Sequence, residues 1–102
     1  MKKSTAHYDL QGIQAQVAAE GAGSFTRTAL DGLAMMNLDL TEGMAVITAL
    51  SRKDLDHSMT SYSDHRVWQD VYRAPTSRGD AYVKFTLLPS GAIVINFKEW
   101  TT

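Results

Sequence analysis

The stretch DAYVKFTLLPSGAIVINFKEW, residues 80–100, decides the fold. Each of its two halves alternates between apolar and polar side chains, which is the pattern of a half-buried β-strand. The tripeptide Pro89, Ser90 and Gly91 separates the halves and predicts a tight turn. We therefore expect an antiparallel hairpin with strands near residues 80–88 and 92–100.

Alternation divides each strand of this hairpin between two faces. The apolar face, expected to pack on helices, comprises Ala81, Val83, Phe85, Leu87, Ile93, Ile95 and Phe97. The opposite face comprises Tyr82, Lys84, Thr86, Val94, Asn96 and Lys98. Because the hairpin turns at Ser90, Tyr82 and Lys98 are expected near the same end of the sheet.

The segment SMTSYSDHRVWQDVYR, residues 58–73, lies upstream of the hairpin and also follows the two-residue period of β-strands. A short strand is predicted near residues 58–62 and a longer one near 67–74, followed by the turn sequence TSRGD. In the longer strand Gln69, Val71 and Arg73 share one side, and Trp68, Asp70 and Tyr72 share the other. One face of the sheet is thus expected to gather Gln69, Arg73, Tyr82, Lys84 and Lys98.

The first half of the chain is helical by pattern. We expect Asp9 to cap a first helix that ends at Gly21. Thr26 or Thr28 is expected to begin a second helix. Thr41 is predicted to cap a third helix, and a short turn follows near residues 51–54. The expected fold is α+β, a single domain over residues 1–102 with its N-terminal helices on one face of a C-terminal antiparallel sheet.

Composition excludes several classes of function. The chain has 102 residues, 44% of them hydrophobic, and no cysteine, so disulfides and thiolate metal sites are ruled out. Its three histidines lack metal-ligand spacing, and no metal or cofactor is expected. No apolar run is long enough to span a bilayer or to form a signal peptide, so we expect a cytoplasmic protein without a membrane partner.

Charge is unevenly distributed although the net charge is only −1. Residues 57–102 carry five Lys or Arg against four Asp or Glu, a net +1, whereas residues 1–56 carry five against seven, a net −2. An anionic ligand is therefore expected at the C-terminal half.

The polar face of the sheet offers cations, phenol, amide and imidazole, which suits cleavage of RNA without a metal. The 2′-hydroxyl must lose a proton to attack phosphorus, the 5′-oxygen must gain one, and the phosphorane between them needs positive charge. Lys98 or Arg73 can supply that charge and Tyr82 or His57 can move protons, while Gln69 can hold the nucleotide. On the residues alone, the same side chains are more typical of a solvated sheet face than of a site.

A resemblance favours the functional interpretation. The motif YSDHRVWQDVYR, followed by GDAYVKFT and IVINFKEW, resembles the MqsR family of toxin mRNA interferases, which have a RelE-like fold. The resemblance is closest over residues 58–99 and extends more loosely through TRTAL and MAVITALSRKDL in the first half. It implies an endoribonuclease that cuts mRNA at GC-containing triplets and a cognate antitoxin that restrains it.

The family's catalytic set carries over to Gln69, Tyr82 and Lys98. A further site residue, commonly a lysine, precedes SMT in the family, and here that position is His57. A histidine titrates near neutrality and can act as a base where a lysine offers only charge. Arg73, Lys84 and Tyr62 are expected to contact RNA.

Two alternatives remain open at the level of sequence. The chain could be a catalytically impaired relative that acts as a protein-binding module, with the histidine at position 57 as one of the changes. A DNA-binding regulator is the weaker alternative, because no predicted helix carries a basic recognition face.

Overall fold

The computed structural model describes residues 1–101. Within them the helices are α1 (Leu10–Glu20), α2 (Arg27–Met35) and α3 (Leu40–Thr48), with short 3₁₀ turns at Gly21–Ser24 and Arg52–Asp54. The strands are β1 (Lys2–Lys3), β2 (Leu55–Thr60), β3 (Trp68–Ala74), β4 (Ala81–Phe85) and β5 (Val94–Glu99). They form one antiparallel sheet in the order β1-β2-β3-β4-β5, which confirms the α+β prediction.

Side-chain caps explain where the helices begin. Asp9 accepts a hydrogen bond from the Gly12 amide at the start of α1, and Thr26, one of the two predicted candidates, caps α2 through the Ala29 amide. The prediction for α3 was wrong, because Asp39 rather than Thr41 is its cap. Asp39 accepts from the Glu42 amide while the Glu42 carboxylate accepts from the Asp39 amide, at 2.8 and 3.0 Å. This reciprocal capping box places the N-cap two residues before Thr41, and the helix begins at Leu40.

The helices cover one face of the sheet, called the closed face here. Its fully buried strand residues include Tyr72, Val83, Phe85 and Phe97, which join the aliphatic side chains of the helices in one hydrophobic core. Helix α2 approaches β5 closely because Gly32 has no side chain: a Cβ at that position would lie 1.7 Å from the carbonyl oxygen of Phe97. No helix within residues 1–101 is long and apolar enough to cross a membrane.

Irregularities in the hairpin correct part of the predicted alternation. Strand β4 ends at Phe85, and an extra residue in β5 shifts the register so that Lys84 pairs with Asn96 but Phe85 pairs with Val94. As a result Thr86 is buried and Leu87 is exposed, the reverse of their predicted faces, and Val94 is buried. Ile95, predicted to lie in the core, is only half-buried.

Two strands also differ from the predicted outline. Strand β2 begins at Leu55, three residues before the predicted start, and ends at Thr60. Strand β1 was not predicted, because two adjacent lysines carry no alternation. It pairs with β2 at the edge of the sheet.

The N-terminal segment is fastened to the sheet by a buried carboxylate. Asp70 accepts hydrogen bonds from the His7 and Tyr8 amides and, at 2.6 Å, from the Ser58 hydroxyl. The His7 ring stacks on Trp68 with centroids 5.3 Å apart. Trp68, Asp70 and Tyr72 therefore share one side of β3, as predicted. The N-terminal segment and the helices cover this side.

Candidate active site

The face of the sheet opposite the helices, called the open face here, collects polar side chains from four strands. Strand pairing places Arg73, Tyr82 and Lys98 side by side in one row across β3, β4 and β5. A second row runs through His57, Val71, Lys84 and Asn96, and Gln69 lies one step further along β3, opposite Met59. The open face thus brings together six of the predicted site residues: His57, Gln69, Arg73, Tyr82, Lys84 and Lys98.

Val71 forms the floor of this cluster. It is fully buried although it points away from the helices and does not belong to the main hydrophobic core. Its neighbours in the row are His57 and Lys84, so long polar side chains must cover it. Such packing restricts those side chains and brings them over a common apolar patch.

A β-bulge in β2 determines the position of His57. Leu55 pairs with Tyr72 and His57 with Val71, so two residues of β2 span one step of β3, and Asp56 is the additional residue. The bulge turns Leu55 toward the core while His57 lies on the open face. It also leaves Asp56 beside His57, with Asp56 Oδ2 2.7 Å from His57 Nδ1.

Tyr82 is half-buried between cationic and aromatic neighbours. The Lys98 ammonium lies 4.9 Å from the centre of its ring, and the Trp100 ring lies 5.9 Å away. Burial, assisted by the negative charge of Asp56, raises the pKa of the Tyr82 phenol above its ordinary value. The phenol therefore keeps its proton at neutral pH and can donate it.

Lys84 and Lys98 concentrate positive charge at the centre of the open face. Burial, and then the nearby charge of Lys98, lower the pKa of Lys84 from its ordinary value. Both effects disfavour the ammonium form, and a bound anion would relieve the repulsion between the two lysines. The pair is therefore suited to a phosphate group.

Arg73 lies at the rim of the cluster, where its guanidinium contacts a carboxylate and an aromatic ring. Its Nε donates to Asp80 at 2.8 Å, and its guanidinium carbon lies 5.0 Å from the centre of the Trp100 ring. Both partners of this ion pair are about half exposed, so the contact is open to exchange with a ligand.

Tyr62 is the predicted site residue that is separate from these rows. It lies in the loop between β2 and β3, where its side chain is fully exposed. Asp56, Asp80 and Trp100 are polar or aromatic neighbours of the cluster that the sequence did not single out. Extending the alternation from Lys98 by two residues would have found Trp100, whereas no pattern signals the bulge that positions Asp56.

Within residues 1–101 no group of three His, Asp or Glu side chains is arranged to hold a metal ion. What the cluster offers chemically is an imidazole beside a carboxylate, a protonated phenol, an amide and three cations.

Two comparisons with known proteins agree. A family model described as "Motility quorum-sensing regulator, toxin of MqsA" matches residues 5–99. The mRNA interferase toxin MqsR of Escherichia coli (strain K12) is 39% identical over 99 residues, which cover 97% of this chain and 99% of that protein.

Proposed function

The chain belongs to the MqsR toxin family, as the sequence motif predicted, and we propose that it is an mRNA interferase that cleaves RNA on the open face of its sheet. The observation that supports this site is the row Arg73, Tyr82 and Lys98 lying next to the row of His57 and Lys84. A cation, a phenol and an imidazole from separate strands thereby surround one position over Val71.

His57 is the proposed general base. It takes the proton of the ribose 2′-hydroxyl, and the 2′-oxygen then forms a bond to the adjacent phosphorus. A base placed in this way contributes a factor of about 10² to 10⁴ to the rate. DNA lacks the 2′-hydroxyl and would not react.

Lys98 and Lys84 are proposed to neutralise the phosphorane that forms next. Negative charge grows on the non-bridging oxygens as the 2′-oxygen approaches, and fixed cations stabilise that charge more than they stabilise the substrate. Burial and then the charge of Lys98 lower the pKa of Lys84, and a bound anion replaces the repulsion between the two lysines with attraction.

Tyr82 is proposed to complete the reaction as the general acid. The bond from phosphorus to the 5′-oxygen breaks, and the leaving oxygen takes the phenolic proton. The products are a 2′,3′-cyclic phosphate and a 5′-hydroxyl end, and the phenolate recovers a proton from water. A phenol is protonated at neutral pH, so Tyr82 enters each cycle able to donate its proton.

The remaining residues are proposed to hold the substrate. Gln69 offers an amide donor and acceptor to the nucleotide at the cut, and Arg73 contacts a flanking phosphate by releasing Asp80. The exposed ring of Tyr62 offers a stacking surface to an unpaired base. We expect cutting at GC-containing triplets, which sequencing of the cleaved ends would test.

A cleavage assay in EDTA tests the metal-independent mechanism. The protein is expected to cut a short single-stranded RNA at an undiminished rate and to leave 2′,3′-cyclic phosphate ends. The matched control substrate carries a single 2′-deoxyribose at the scissile position and should remain uncut. Loss of activity on chelation, or cutting of the deoxy substrate, would contradict the mechanism.

A cognate antitoxin is the proposed protein partner. Expression of the chain alone is expected to arrest growth, and co-expression of its antitoxin to restore it. Complex formation without RNA cleavage under any condition would favour the alternative of a protein-binding module.

A further inference from the structure

The contact between Asp56 and His57 fixes the hydrogen position on the imidazole. An ionised carboxylate can only accept hydrogen bonds, so Nδ1 must carry the hydrogen at the observed distance of 2.7 Å. In the neutral ring the lone pair then resides on Nε2. No hydrogen-bond partner for Nε2 is found within residues 1–101, which leaves that nitrogen free to accept a proton.

Because the His57 ring is largely buried, its contact with Asp56 restricts the orientation of the ring. The His57 side chain is only 17% exposed, whereas Asp56 is 43% exposed and remains in contact with solvent. The ring is therefore packed against the sheet, and the more exposed carboxylate holds it through one hydrogen bond. An exposed pair on a mobile loop would give no such orientation.

Several other charged or titratable groups lie around the pair of Asp56 and His57. Lys53, Asp54 and Asp80 line a pocket with Asp56 and Arg73, and the neighbouring strands carry Tyr82, Lys84 and Lys98 on the open face. Arg73 is paired with Asp80, and Asp54 accepts from Ser51. Asp56 is the carboxylate in hydrogen-bond contact with the imidazole.

We propose that Asp56 is a positioning residue that holds His57 in the tautomer with Nε2 unprotonated, so that the ring can act as the general base. The proposal rests on the function proposed above and assigns to the bulge a role in the reaction. When Nε2 takes the proton of the 2′-hydroxyl, the imidazolium that forms lies against the Asp56 carboxylate and is stabilised by it. After product release the proton returns to water, which restores the neutral ring.

A mutant cycle tests the positioning role through activity. Asp56→Asn should lower kcat by about 10- to 100-fold with little change in KM, since the amide no longer dictates the tautomer. In a His57→Ala background the same substitution should change the residual rate by less than about 2-fold, because no ring remains to be positioned. Asp31→Asn, which removes a carboxylate from α2, is the matched control and should leave the rate unchanged.

Nitrogen-15 NMR of the imidazole provides a readout that a merely structural role would not change. At a pH where the ring is neutral, Nε2 of His57 should give the shift of an unprotonated nitrogen in the parent protein. In Asp56→Asn it should move toward the protonated value. The amide spectra of the parent protein and of Asp56→Asn should show the same fold.

The outcomes separate this inference from the proposed function. If the parent protein cuts RNA but Asp56→Asn is as active, or loses the same factor in the His57→Ala background, the positioning role is wrong and the nuclease stands. A mixed tautomer in the parent protein would overturn it as well. If the parent protein cuts no RNA, the proposed function fails, and with it any reaction for His57 to serve.

Discussion

The two faces of the sheet use the same strands for different purposes. In β4 the closed face carries Ala81, Val83 and Phe85, all fully buried, while Tyr82 and Lys84 on the open face are only half-buried. Apolar burial beneath the helices supplies the stability. The open face can therefore hold charged groups close together over Val71 with little consequence for folding, and substitutions on the two faces should have separable effects.

The largest expected effect is the loss of Lys98 from the open face. Lys98→Met keeps the aliphatic contact with Tyr82 but removes the charge, so cleavage should fall by about 10²- to 10³-fold, equivalent to about 3–4 kcal/mol in the barrier. Because Lys98 is exposed, the free energy of unfolding should change by less than about 0.5 kcal/mol. Single-turnover cleavage and urea denaturation measure the two quantities.

Arg27→Met is the control for this change. It removes one cation from α2, outside the open face, and should leave cleavage unchanged. Full activity of Lys98→Met would place the charge stabilisation elsewhere and would end the distinction between the faces.

At Gly32, in the helix that packs on the closed face, we expect a loss of stability rather than a loss of catalysis. In Gly32→Ala the new methyl group would overlap the Phe97 carbonyl, so α2 and β5 must separate, at a cost of about 3 kcal/mol in the free energy of unfolding. Gly23→Ala is the matched control, since no atom lies within 4 Å of its added Cβ. Equal stability of the two variants in urea would show that the close helix–strand contact is not required.

Alternation in the sequence predicted both faces wherever the strands are regular. It paired Tyr82 with Lys98 and separated Gln69 and Arg73 from Tyr72, because a period of two needs only local information. It was wrong at Thr86, Leu87, Val94 and Ile95, where β4 ends and β5 gains a residue. A bulge depends on contacts such as the Thr26 amide on the Val94 carbonyl, between segments distant in sequence.

The same limit applied to the candidate site. Residue types and the family motif identified His57, Gln69, Tyr82 and Lys98. Asp56 was missed because it is the bulge in β2 that brings its carboxylate beside the His57 ring. The Asp39 cap was missed for a simpler reason. Thr41 and Asp39 both suit a helix start, and the reciprocal bond from Glu42 favours the earlier one.

A smaller effect is expected at Asp70, the sequence neighbour of Gln69 on the opposite side of β3. Asp70→Asn weakens the hydrogen bonds that the carboxylate accepts from three donors, His7, Tyr8 and Ser58, which should lower the free energy of unfolding by about 2 kcal/mol. The amides of residues 7 and 8 should exchange hydrogen faster. The rate of cleavage per folded molecule should not change, and a large fall in kcat would mean that the two sides of β3 are coupled.

The smallest expected effect has the opposite sign and concerns Tyr72 in the core. Its hydroxyl is buried without a hydrogen-bond partner in residues 1–101, so Tyr72→Phe should raise the free energy of unfolding by about 1 kcal/mol. Burial, and then the nearby charges of Asp70, Asp54 and Asp9, raise the pKa of Tyr72 from 10.0 to about 12. The folded protein thus holds this proton more tightly than the unfolded chain.

The stabilisation from that proton is complete below the unfolded pKa of 10.0 and is lost as the pH rises toward about 12. Urea midpoints measured across this range should therefore fall less steeply for Tyr72→Phe than for the parent protein. Tyr62→Phe, a change at a fully exposed ring, should follow the parent curve and controls for the titration of other groups. A Tyr72→Phe variant that is less stable at neutral pH would show that the hydroxyl is hydrogen-bonded in solution.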